Sequence, residues 1–347
     1  MTETPGLAPA VLTRWWREHL DHDPATTLAG GLRATLIAGG KSNLTYRVGD
    51  GSRTWVVRRP PLGHVLATAH DMAREHRVMT ALADTPVPVP ATHALCEDTG
   101  VLGAPFYVMA DVEGTPYRTA AELGALGAAR TRGVAERMVD VLAELHRVEP
   151  AAVGLGDFGR VEGFLPRQVR RWRQQMEASR TQESSAATEL ADRLTDGVEA
   201  AAALGVPGIV HGDYRLDNLL VDAGDDVVAV LDWEMATLGD TLTDVALLVL
   251  YNRLAAVAPG MVADACEAPG FPGEEEILER YATAVGRDLA GLGFHLGLAS
   301  YKLAAILQGI HYRYLRGQTV GEGFDRVGEV VEPLLATGLD ALTASRP

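Results

Sequence analysis

The decisive stretch reads His211–Gly212–Asp213–Tyr214–Arg215–Leu216–Asp217–Asn218. It continues through Leu219–Leu220–Val221, an Asp/Gly-rich turn over 222–226, Val227–Val228–Ala229–Val230–Leu231 and Asp232. Two apolar runs flanking such a turn predict a β-hairpin. With the turn centred on Asp225, Asn218 falls opposite Asp232. Directly opposed side chains of an antiparallel pair lie about 5 Å apart on one face, and a one-residue slip would reverse the faces. An amide oxygen and a carboxylate at that separation are hard ligands. They suit a Mg²⁺ ion that keeps waters and takes further ligands from phosphates. Asp213 lies in the loop entering the hairpin, where a carboxylate can take the proton of an incoming hydroxyl.

The arrangement H-x-D-x-x-x-x-N with a later metal-binding Asp is the layout by which the protein-kinase class performs phosphoryl transfer. Single Asp and Asn residues beside Gly usually make turns and caps. The chemical reading is favoured here by the hairpin length and by the apolar strands on both sides. His211, His146, Asp240 and Asp244 are expected to hold this segment rather than touch substrate.

Around this core the chain has 347 residues. At roughly 150 residues per domain, that length suggests two domains or lobes. Hydrophobic residues make up 47% and charged residues 22%, a globular composition that excludes disorder as the dominant state. The net charge is −15, and the only dense basic stretch, Arg167–Arg173, has acidic residues on both sides. A nucleic-acid or acidic-membrane partner is not expected, since such binding needs an excess of Lys and Arg. Cys96 and Cys266 are too few for a disulfide framework or a four-ligand zinc site. No signal-like segment opens the chain, and Val245–Tyr251 is far short of the ~20 residues of a membrane span. The expected compartment is the cytoplasm.

The first third reads as strands at 34–38, 45–48, 54–58 and 106–109, with a helix over 69–82 carrying Met72, Val78, Met79 and Leu82. Thr85–Pro90 reads as a loop. Beyond about residue 115 the text is mainly helical, at 132–146, 164–204 and 277–315, with strand-like text around 206–232. The expected fold class is α+β: a small strand-rich lobe over 1–108, a hinge at 109–114 and a large helical lobe over 115–347. Gly40–Lys41–Ser42 imitates the end of a Walker A loop. The earlier glycine of that motif is replaced by Thr35, however, and the lysine precedes a strand rather than a helix.

At the residues quoted above the sequence resembles the aminoglycoside phosphotransferase family, small-molecule kinases of the protein-kinase-like bilobal fold. The resemblance covers about residues 30–315. It is nearest to the branch that some eukaryotic proteins carry fused to acyl-CoA dehydrogenases. The residues behind that narrower likeness are Gly154–Leu155–Gly156–Asp157–Phe158–Gly159, the basic helix Arg167–Trp172, Val230–Gly239 with Asp240 and Asp244, and Leu303–Gly309.

The resemblance implies a role for each matching position. Asp213 matches the catalytic aspartate, and Asn218 and Asp232 match the Mg²⁺ ligands. Arg215 takes the place of a lysine facing the transferred phosphate. Gly39, Gly40, Lys41, Ser42 and Asn43 would form the nucleotide-covering turn, although its glycine pattern departs from that of protein kinases. Arg58 stands where the kinase pattern has Lys. It would fork onto phosphate and onto Glu75 of the following helix, with a bulkier and differently shaped cation. The backbone around Met109 and Asp111 would meet the adenine edge, while Tyr107 is expected to be core.

The expected activity is Mg²⁺-dependent transfer of the γ-phosphate of ATP, with GTP as the alternative donor, to a hydroxyl of a small molecule. A hydroxy acid or its CoA thioester is favoured as acceptor. The basic helix then reads either as a solvated face or as a clamp for an anionic group, and Lys302, Gln308, Tyr312 and Arg313 are further polar candidates. Two other readings are an aminoglycoside or other antibiotic phosphotransferase, for which these cations are unsuited, and a nucleotide-binding pseudokinase. Retention of Asp213, Asn218 and Asp232 together opposes the last.

Overall fold

A computed structural model describes residues 5–37, 43–62, 71–257, 260, 262–318 and 324–344. The chain forms two compact units that interleave in sequence. One comprises Met1–Thr115 with Leu219–Ala236, and the other Pro116–Asn218 with Thr237–Pro347.

The first unit opens with helix α1 (Pro9–His19) and continues through β1 (Arg33–Leu36), β2 (Leu44–Gly49), β3 (Thr54–Arg59), α2 (Met72–Leu82), β4 (Thr92–Cys96), α3 (Thr99–Leu102) and β5 (Phe106–Ala110). The strands form one antiparallel sheet in the order β1-β2-β3-β5-β4. Period-two alternation divides β3 between two faces. Trp55 and Val57 join Tyr46, Val48, Phe106 and Val108 in a core closed by Trp15 and Trp16 of α1. The ring centres of Trp16 and Trp55 lie 4.9 Å apart, and the Trp16 indole N–H donates to Thr26 O at 2.7 Å. Each such fully buried apolar side chain contributes about 1.5–3 kcal/mol. The opposite parity of β3 carries Val56 and Arg58. Arg58 pairs directly with Tyr107 of β5, so their side chains share the face opposite the tryptophans.

Helix α2 is capped by Asp71, whose side chain accepts from Arg74 N, and it buries Glu75 among Met72, Val78, Met79 and Leu82. The later hairpin belongs to this unit. Its first strand is bridged to Thr115, and the turn after its second strand is tied to α2 by Arg74 Nη2 donating to Ala236 O at 3.2 Å.

The second unit begins with α4 (Ala120–Gly124), α5 (Ala128–Arg147), α6 (Phe164–Ala178), α7 (Ser185–Leu204) and β6 (Pro207–Val210). After it the chain passes through the hairpin, β7 (Leu219–Val221) and β8 (Val227–Val230). It re-enters the second unit as β9 (Thr237–Asp240), α8 (Leu242–Val257), α9 (Glu274–Val285), α10 (Leu292–Leu315) and α11 (Val331–Ala344). Strands β6 and β9 pair antiparallel, Val210 with Thr237 and Pro207 with Asp240. The core-facing stripe of α5 includes Val134, Met138, Val141, Leu142 and Leu145, all fully buried. Gly239 is required by packing, because a Cβ there would lie 2.6 Å from the Phe164 ring of α6. Among the described residues no helix is long and apolar enough to cross a membrane.

The expected α+β class with a strand-rich first part and a helical remainder is present. The hairpin exists, but its register differs from the expectation. Leu219 pairs with Val230 and Leu220 with Ala229, one residue short of the register that sets Asn218 against Asp232. The cause is the turn, which closes one residue earlier than expected: Asp222 N donates to Asp226 O and Val221 pairs with Val227, and the irregularity between Leu220 and Val221 recovers only one of the two positions lost. Asn218 closes a 3-10 turn, Leu216–Asn218, and Asp232 is left-handed at φ 66°, so neither belongs to the ladder.

Candidate active site

In the second unit, β6 delivers the chain to Gly212, whose φ of 88° a side chain would resist. The bend is gripped by Asp244 near the start of α8. Its carboxylate accepts from His211 N at 2.6 Å and from Gly212 N at 2.7 Å, and it also meets His146 Nε2 at 3.2 Å. His146 is held in turn by the Tyr281 hydroxyl at 2.7 Å. Burial opposes the charge on Asp244, but these hydrogen bonds and the two histidines keep its carboxyl below the usual range. The His211 ring, fully buried, accepts from Asp213 N at 3.2 Å. The loop is therefore a rigid mount on which the Asp213 side chain remains 31% exposed.

Asn218 locks that side chain. Its Nδ2 donates to Asp213 O at 2.9 Å and to Asp213 Oδ2 at 3.2 Å. With the amide nitrogen so engaged, the amide oxygen takes no part in holding Asp213. Arg215 is bound to Asp217 at 2.6 Å, lies 3.7 Å from Asp213 Oδ1, and stacks 4.6 Å over the Tyr251 ring. Burial, then the charge of Asp213, pushes the Tyr251 phenol above its ordinary range.

The first unit gathers a second cluster, on the sheet face beneath α2. Arg58 Nε lies 3.0 Å from Glu75 Oε2, and Arg58 Nη2 lies 2.5 Å from Asp232 Oδ1 and 4.0 Å from Glu234. Tyr107 donates to Glu75 Oε2 at 3.0 Å. Asn43 Nδ2 donates to Glu75 Oε1 and Glu234 Oε2, both at 3.1 Å. Burial pushes the Glu75 carboxyl up to about 7 despite Arg58, with Asp232 and Glu234 adding repulsion. For Arg58, burial opposes the charge, yet Tyr107 and the surrounding carboxylates outweigh it and hold the guanidinium firmly protonated. Asp232 rests on this guanidinium. The left-handed backbone at Asp232 is the kind of strain that persists where surrounding structure over-determines it.

The sequence-derived candidates thus fall into two groups. Asp213, Arg215 and Asn218 meet in the second unit, while Asn43, Arg58, Glu75 and Asp232 meet in the first. Gly39, Gly40, Lys41 and Ser42 lie outside the described residues. Met109 is inside β5, facing Val56 on one side and Thr92 on the other, and Asp111 is held by a bidentate ion pair to Arg47 at 2.6 and 3.1 Å. Tyr107 is core, 1% exposed, but its hydroxyl serves Glu75. In the basic helix Arg167 caps the carbonyls of Glu162 and Arg160, and Arg173 pairs with Asp192 at 3.1 Å. Sequence reasoning assigned nothing to Glu234 or Tyr251. A lone Glu beside Trp233 and a Tyr within an apolar helix carry no spacing signal.

A phosphotransferase enzyme family model matches residues 33–284. The chain belongs to that family. Its relatives include acyl-CoA dehydrogenase family member 11 of Homo sapiens, 34% identical over 304 residues, which are 86% of this chain and 39% of that protein. Family member 10 of Mus musculus is 34% identical over 314 residues, 88% of this chain and 28% of that one. The chain therefore spans less than half the length of the curated relatives it matches. Among solved structures, a Ralstonia eutropha protein assigned provisionally as an aminoglycoside phosphotransferase has 32% identity and a TM-score of 0.82, covering 97% of this chain and 98% of that one. An aminoglycoside phosphotransferase bound to AMP-PNP and hygromycin B shares the kinase-like fold. Its TM-score is 0.58 at 13% identity, over 94% of this chain and 97% of that one.

Proposed function

We propose that this phosphotransferase-family protein is a small-molecule kinase that moves the γ-phosphate of ATP to an acceptor hydroxyl. The observation that carries the reading is the grip of Asn218 on Asp213, which aims an exposed carboxylate while leaving the amide oxygen unspent. In the reaction the acceptor oxygen attacks the γ-phosphorus and the bond to the β-phosphate oxygen breaks, releasing ADP. Asp213 orients the hydroxyl and takes its proton. Arg215 faces the transferred phosphate. Arg58, held by Glu75, steadies the nucleotide phosphates, with Asn43 and the glycine turn before it covering them and the backbone near Met109 and Asp111 meeting the base. Asn218 and Asp232 supply the hard oxygens that fit Mg²⁺, which when bound neutralises charge on the phosphates.

A hydroxy acid or its CoA thioester is the favoured acceptor. The support is the likeness to acyl-CoA dehydrogenase family members and the cationic side chains on α6 and α10. Those cations oppose an aminoglycoside, itself a polycation. The test is nucleotide consumption against hydroxy acids, hydroxyacyl-CoAs and aminoglycosides. Stimulation by the first or second class alone is expected. Stimulation by aminoglycosides alone overturns the acceptor assignment, and binding of nucleotide with no turnover for any class overturns the kinase assignment.

A further inference from the structure

Lys302 of α10 places its ammonium 5.7 Å from the centre of the Trp172 ring, and the Arg171 guanidinium of α6 lies 5.0 Å from the same centre. An indole face is the strongest aromatic partner for a cation, so one ring gathers two positive charges. Trp172 is well fixed for this purpose. It is 7% exposed, and its N–H donates to Gln168 Oε1 at 3.2 Å. Its neighbours Arg167 and Arg173 are spent on carbonyls and on Asp192.

Lys302 is half-buried and makes no hydrogen bond or ion pair with any described residue. Burial holds its ammonium below the usual lysine range, with Arg171 adding to that effect, while the charges of Asp213 and Asp244 act in the other direction. The lysine therefore stands within electrostatic reach of the carboxylate assigned to activate the acceptor. A desolvated cation with no counter-ion is costly unless something pairs with it. An ammonium offers three donors and accepts nothing, so what pairs with it is an acceptor group, best an anion.

We propose that Lys302, with Arg171 at the same Trp172 ring, is an oxyanion-binding pair that selects the phosphate acceptor. The acceptor carries its own oxyanion, a carboxylate or the phosphate of an attached carrier, which seats on these cations while its hydroxyl meets Asp213. The role given to Asp213 rests on the kinase reading above; the anion site does not. Lys302 is a specificity-determining residue in this account, and a polycationic acceptor is turned away by the same charges.

The test measures equilibrium binding, with Mg²⁺ and AMP-PNP present. Its probes are the 2-, 3- and 4-hydroxybutyrates, their CoA thioesters and their uncharged N-acetylcysteamine thioesters. Lys302→Gln is expected to weaken the anionic probes by about tenfold, the scale of one charge-assisted hydrogen bond, and to leave the uncharged ones unchanged. Lys302→Arg restores most of the loss. Arg171→Gln, at an exposed position that the fold tolerates, weakens the same anionic probes to a smaller degree. A loss seen with the free acids assigns the carboxylate, and a loss confined to the CoA thioesters assigns the phosphate.

Failure of every anionic probe to bind the unmodified protein overturns the proposal. So does a Lys302→Gln effect that is absent or equal for charged and uncharged probes. If the anion effect holds but no bound probe is phosphorylated, the kinase reading fails and the anion site stands.

Discussion

Arg58 Nε lies 3.0 Å from Glu75 Oε2, yet the carboxyl of Glu75 is raised rather than lowered. The same guanidinium meets Asp232 at 2.5 Å and Glu234 at 4.0 Å, so three acids share one base. Glu75 is the most deeply buried of them, which is why its carboxyl rises from 4.5 to about 7 while Arg58 stays charged.

A stability profile follows. The folded protein keeps a proton on Glu75 that the unfolded chain releases near 4.5, so this group's contribution is full below 4.5 and is lost as pH rises through about 7. In nucleotide-free protein the melting temperature is expected to fall between pH 5 and 8 relative to that of Glu75→Gln, and to run parallel above pH 8. Parallel curves over the whole range contradict it.

Asp244 has the opposite sign. Its carboxyl is held below the ordinary 3.8, so its contribution is present above that value and disappears as pH falls through the folded one. Asp244→Ala strips the acceptor from His211 N and Gly212 N and leaves His146 without its carboxylate. The expected cost at pH 7 is about 3–5 kcal/mol, the scale of breaking a buried pair, read by denaturant unfolding. The gap to the unmodified protein narrows at acid pH.

The hydrogen bond from Arg58 to Asp232 sets the third expectation. Asp232→Ala removes a hard oxygen and frees the guanidinium. A magnesium titration of ATP binding is expected to move to at least tenfold higher metal. An unchanged titration removes Asp232 from the metal site.

The meeting of Asp213, Arg215 and Asn218 was legible because they are close in sequence, within a single loop and turn. Helix α5 was legible too, through apolar periodicity. What was hidden depends on distance along the chain or on local irregularity. Several Asp and Gly residues over 222–226 can centre the turn equally well, and the bulge beside Leu220 leaves no mark in an apolar run, so the sequence does not fix the hairpin register. Strand β4, Thr-His-Ala-Leu-Cys, has weak strand propensity and is recruited by pairing with β5. Helix α1 is amphipathic, with Leu12, Trp15 and Trp16 on its buried face, a pattern that sequence reasoning left unassigned. The partnerships of Glu75 with Tyr107, and of Lys302 with Trp172, join elements that no local window contains.

The most direct test of the account is ADP formation from Mg·ATP with a responsive acceptor, measured beside AMP-PNP affinity, for the unmodified protein and Asp213→Ala. Loss of the proposed general base is expected to slow transfer by about 10²–10⁴-fold while nucleotide affinity stays within about threefold, because the cluster around Arg58, proposed to hold the phosphates, is untouched. Full turnover by Asp213→Ala would contradict the account.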